Sequence, residues 1–139
     1  MKKTIMAFLF LVLMGILPAT AETWNELIQR TMTVQRNFNI GIDIGTPSTW
    51  SFDKWGALIA SNTWLETAYE NIYRNATNLT QNERDRFWRL WQNQKSNSSP
   101  ALMRVIELEF FSANDIRRID ERGRYWMNHL INGGIITFN

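Results

Sequence analysis

The chain has no cysteine and only one histidine among its 139 residues. Without cysteine there is no disulfide, even where an oxidising destination would allow one, so the fold stands on packing alone. His129 by itself cannot anchor zinc, which needs several His, Cys or carboxylate ligands. Its place near the end of a helical stretch suits a surface hydrogen bond or a favourable charge at a helix C-terminus. There is no glycine-rich phosphate loop, no Ser-His-Asp set in a recognisable order and no His-rich metal pattern. The sequence therefore calls for no cofactor and no metal and points away from an enzyme. Internal repeats are absent. The longest apolar run, residues 5–17, falls short of the roughly 20 residues a membrane span requires.

That apolar run sits in a telling context. Lys2 and Lys3 precede it, Gly15 and Pro18 loosen its end, and Ala19-Thr20-Ala21 forms a small-x-small cleavage site. These are the parts of a cleavable signal peptide of bacterial type, cut after Ala21. No cysteine follows the cut, which excludes a lipoprotein, and no twin arginine precedes the run. The expected organisation is a signal peptide over residues 1–21 and a single helical domain over 22–139. That domain would be periplasmic or secreted, with no integral membrane span after cleavage.

Export also changes the charge balance. The whole chain carries 15 basic and 13 acidic residues, and losing Lys2 and Lys3 leaves thirteen of each. A neutral domain offers no electrostatic footprint for nucleic acid, so none is expected as a partner. Eleven of the remaining basic residues are arginine, the side chain better suited to paired or interfacial positions. Seven tryptophans are many for this size, and rings beyond what a core needs would face outward.

Periodicity predicts about five helices in an all-α, orthogonal or bundle-like domain. The first covers 23–38, with Trp24, Leu27, Ile28, Thr31 and Phe38 on one stripe. Ile40, Ile42 and Ile44 then alternate with Gly41, Asp43 and Gly45, a strand-like period, before Thr46-Pro47-Ser48 turns the chain. Ser51 caps a second helix to about residue 75. Thr80 and Glu83 form a capping box for a third, to about 94. Residues 95–98 read as a polar linker. Ser99-Pro100 opens a fourth helix, apolar nearly all round and therefore expected at the centre. Ser112 and Asp115 cap a fifth, ended by Gly133-Gly134. Gly123 on its inner side predicts the close approach of a neighbour. The tail, 135–138, is β-prone and is expected to pair with 40–44 as a minor two-stranded ribbon.

Two sets of residues stand out as candidate sites. Trp64 lies about half a turn from the inner stripe of the second helix. Trp88 is rotated roughly 100° from the inward Phe87, with Arg84 one turn before it and Arg89 next to it. Exposed tryptophan beside arginine is the composition of a protein-binding hot spot. The second set is a pair of carboxylates, Glu66 and Glu109, each at the edge of an apolar stripe. Together in a cleft lined by Tyr and Trp, they would be the minimum equipment for cutting a glycosidic bond. The leading expectation is a non-enzymatic domain that binds another envelope or secreted protein, as an accessory subunit, inhibitor or immunity-type protein. The alternative is a glycan-binding or glycan-cleaving domain built on the glutamate pair. The sequence leaves the oligomeric state open.

Overall fold

The computed structural model describes residues 22–139, so the expected signal peptide, 1–21, lies outside the described residues. Helix α1 spans Trp24–Asp43, α2 Phe52–Asn75, α3 Gln81–Asn93, α4 Ser99–Leu108 and α5 Ala113–Ile131. Four of the five start on a side chain that accepts from a first-turn amide: Thr23, Ser51, Thr80 and Ser112. At Thr23, Thr80 and Ser112 the acidic residue three positions on returns the bond, closing a capping box. The fold is all-α, and no strand occurs among the described residues.

The fourth start is of a different kind. A π-helical turn, Gln94–Ser98, joins α3 to α4 without a break, so the five segments form four continuous rods rather than five separate helices. This corrects the expected polar linker. The wider π turn, in which the Ser99 amide reaches back to Gln94 O, makes room for Pro100, whose ring would clash in an ordinary helix interior. Gln94 is only 1% exposed and its amide donates to Asn62 Oδ1 at 2.5 Å. A buried hydrogen bond to α2 therefore holds in helical form a stretch whose composition reads as a loop.

Helix α2, not α4, is the centre. Fourteen of its 24 residues are buried, and α1, α3 and α5 all pack on it. Gly56, Ala57, Ala60, Ser61 and Ala68 are small enough to let neighbours close in from several sides. A Cβ on Gly56 would stand 2.6 Å from Gly123 N and 2.7 Å from Arg122 Cβ, so α2 and α5 cross almost backbone to backbone. The close approach anticipated at Gly123 is present, with Gly56 as its counterpart. In α4 only Leu102 and Ile106 are buried. Ten residues at the rim of the molecule cannot surround themselves with neighbours, however apolar they are.

The β ribbon is absent. Residues 40–43 continue α1, because Gly41 falls seven positions after Val34 and three after Phe38, on the same buried stripe. Their amides are committed to the helix and have nothing to give a ladder. The tail still reaches this region, by other means. Phe138 packs on the bare face of Gly41, Asn37 Nδ2 donates to Ile136 O at 2.8 Å, and His129 Nε2 donates to Ile135 O at 3.0 Å.

Candidate functional site

An open cavity lined mainly by apolar side chains lies between the C-terminal half of α1 and the first half of α4. Phe38, Ile42, Trp50, Leu102 and Val105 form its walls, with Asn39 and Asp43 as its polar edge and about 550 Å³ of space. That volume is in the range of small-ligand and side-chain pockets, roughly 300–1,000 Å³. Local sequence builds its floor. Gly45 takes a left-handed φ of 69°, and Pro47–Thr49 forms a single 3₁₀ turn closed by Thr49 N–H and Oγ1 on Thr46 O. The turn delivers Trp50 to the end of α1, where its indole N–H donates to Ile44 O at 3.0 Å. Lys54 lies over the Trp50 ring at 4.8 Å and donates to the same carbonyl, and burial lowers its pKa. Behind Trp50, Trp55 meets it edge-on at 4.8 Å, and Phe111 meets Trp55 at 5.4 Å. One wall of the groove is thus anchored in the core.

The far end of α4 is a second exposed apolar feature. Leu108 follows Val105 by three positions, on the same side of the helix, and is 62% exposed. Phe110 closes the helix at φ 53° and is 72% exposed, while its neighbour Phe111 turns inward onto Trp55 and Phe52. Glycine is the usual residue at such a left-handed helix end, and a residue with a Cβ costs roughly 1 kcal/mol there. A large ring is held outward in a costly conformation.

The residues singled out in the sequence divide. Trp64 is 0% exposed, a core residue with the Arg30 guanidinium stacked on it at 4.8 Å. Arg30 is itself buried, pairs bidentately with Glu22 and donates to Leu130 O and Gly134 O at the end of α5. An apolar stripe read from one helix cannot reveal that α2 is covered on nearly every side. Arg84 is also internal in role, donating to Tyr73 O and Ala76 O and so capping α2. Trp88, 45% exposed, and Arg89 remain on the surface of α3.

Glu66 accepts from Ser99 Oγ at 3.0 Å, in a chain that runs from Gln94 through Asn62 and Ser99. Glu109 follows the last residue of α4. Ten residues at 1.5 Å each separate Ser99 from Glu109 by about 15 Å, wider than the roughly 5–9.5 Å between glycosidase carboxylates. Neither glutamate lines the groove. Tyr69 donates to Gln35 at 2.7 Å, and burial pushes its hydroxyl well above the ordinary phenol range, opposed in part by Arg86. On α5, Arg124 pairs with Asp120 at 3.2 Å and Arg122 with Asp53 of α2 at 2.7 Å. Among the described residues no group of three or more His, Asp or Glu converges on a metal position. None of their helices is long and apolar enough to cross a membrane.

Sequence reasoning missed the groove and the Leu108–Phe110 corner. The signal was present in α4, whose apolar residues outnumber what one buried face can use. No protein-family model matches the chain, and no curated protein or solved structure is significantly similar to it.

Proposed function

We propose that the chain is an exported, non-enzymatic domain that binds another protein through the groove between α1 and α4. One observation carries this reading: an open apolar groove runs on, along α4, into two large exposed apolar side chains. Contiguous apolar surface of this kind marks interaction sites in proteins that otherwise keep such residues inside. Trp88 with Arg89 on α3 is a lesser contact of the same chemistry. Export is supported by the basic, apolar and small-x-small order of residues 2–21. The glycan-binding or glycan-cleaving alternative has less support, because about 15 Å of α4 lies between Ser99, from which Glu66 accepts, and Glu109.

A photoreactive amino acid at Ala101, on the groove wall, tests the binding reading in cells expressing the full-length chain. The expected result is a discrete crosslinked species absent when the same group is placed at Asn82, on the exposed side of α3. No crosslink from Ala101, or the same products from both positions, overturns it. Intact mass of the purified protein tests export, which requires a chain beginning at Glu22.

A further inference from the structure

We infer that the groove is filled by the Leu108–Phe110 corner of a second copy of this chain, two copies exchanging corners about a two-fold axis. The inference rests on the groove being a protein-binding surface and names its occupant.

Groove and corner belong to one helix. Ala101, Leu102 and Val105 line the groove, Leu108 continues the same side of the helix one turn on, and Phe110 follows past the helix end. If two α4 helices run antiparallel and cross near Val105, each end of one meets the opposite end of the other. Ala101 lies four residues before that crossing and Phe110 five after it, about 6 and 7.5 Å along the axis. A two-fold interface needs one patch complementary to itself, and a hollow and a protrusion at similar distances on either side of one point meet that need. A foreign apolar segment would fill the groove and leave the corner bare. A second copy covers both.

The charges agree. Asp43 lines the groove at the C-terminal end of α1, where the helix carries partial negative charge and the last turn has no basic residue. Lys54, the cation at this helix end, donates to Ile44 O and no ion pair joins it to Asp43. Arg104 is exposed one turn before Leu108, and no ion pair or hydrogen bond joins it to another described residue. Exchange of corners carries Arg104 of each copy toward Asp43 of the other, giving two equivalent pairs. The domain over 22–139 has thirteen charges of each sign, so no net repulsion opposes the approach. The left-handed Phe110 also finds a reason here. Its backbone conformation leaves the side chain exposed past the helix end, available for contact.

Sedimentation velocity over a concentration series, on protein purified after expression of the full-length chain, tests the inference. A reversible monomer–dimer equilibrium is expected. Phe110→Asp should weaken it by about thirtyfold or more, the loss expected of a hot-spot residue, with the far-ultraviolet dichroism unchanged. Phe110→Gly guards against misfolding, since glycine suits the left-handed position, and it should weaken the dimer as well. Asp43→Arg and Arg104→Asp should each weaken the dimer roughly tenfold, and the double variant should recover it. A monomer at every concentration, or a dimer indifferent to both Phe110 variants, overturns the inference. A double variant without recovery removes the Arg104–Asp43 pairing and the two-fold arrangement with it. Should the protein be monomeric while Ala101 crosslinks to a different protein, the groove reading stands and the second copy does not. Should neither occur, both fall.

Discussion

Helices α2 and α4 present opposite relations between composition and place. Helix α2 contains Asn62, Ser61, Asn71 and two glutamates, yet it is the axis on which the other rods pack. Helix α4 is nearly free of polar residues over 100–108, apart from Arg104 and Glu107, and it lies at the rim. Apolar character says that a residue gains from leaving water, about 25 cal/mol per Å² of area buried. It does not say that neighbours exist to cover it. Coverage follows from length and from small residues that admit other backbones, and α2 has both. The polar groups of α2 are tolerated because partners are brought to them: Gln94 and Ser99 to Asn62, Gln35 to Tyr69. The apolar excess of α4 is left over, and leftover apolar surface is what a partner can use.

This contrast is sharpest where a single residue can be removed from each side of it. Trp64→Ala on α2 should cost about 3–5 kcal/mol in urea unfolding, since it opens a cavity and strips the stacked face from buried Arg30. A loss under 1 kcal/mol would mean that Trp64 is not the core residue its burial implies. Gly56→Val should cost about 3 kcal/mol, because the helix crossing at Gly123 has no room for a side chain. If the variant is as stable as the parent, α2 and α5 do not cross at that point. The α4 corner should behave oppositely. Phe110→Gly is expected to raise the stability of the monomer by about 1 kcal/mol, relieving a left-handed residue whose side chain is largely exposed. A destabilised variant would show that the ring is held by its own subunit.

The smallest effect concerns the cap that starts the rod leading to α4. Bonds from the Thr80 backbone and hydroxyl hold the Glu83 carboxyl below its ordinary value of 4.5. A depressed acid contributes stability above its unfolded value and loses it as pH falls through the folded one. Melting temperatures of the parent should therefore decline relative to Glu83→Gln as pH is lowered below 4.5. Burial raises Asp120, which works in the opposite direction, so the difference between the two proteins is the quantity to follow. Parallel curves would remove Glu83 as the acid responsible.

Much of the local structure was legible from the residues. Thr80-x-x-Glu83 and Ser112-x-x-Asp115 mark helix starts because a capping hydroxyl and a returning carboxylate act within one turn. Gly123 signalled a close crossing, since glycine inside a helix costs stability that only proximity repays. The alternation from Ile40 to Ile44 misled, because five residues of period two also fit one helical turn and a half. Trp64 misled for a related reason. Its angle from the main stripe follows from the helical period alone, but a helix covered nearly all round has no outer side.

What the sequence determined by itself was whatever acts between residues a few positions apart: the caps, the stops, the helical periods and the N-terminal order that supports export. Tertiary structure alone decided which helix is central, that residues 94–98 stay helical, that Trp64 and Arg84 turn inward, and that Glu66 and Glu109 stand at opposite ends of α4. Those outcomes depend on groups distant in the chain, such as Gln94 on Asn62 or Arg30 on Leu130 O. The groove belongs with them, because a hollow between α1 and α4 exists only once both helices have been placed on α2.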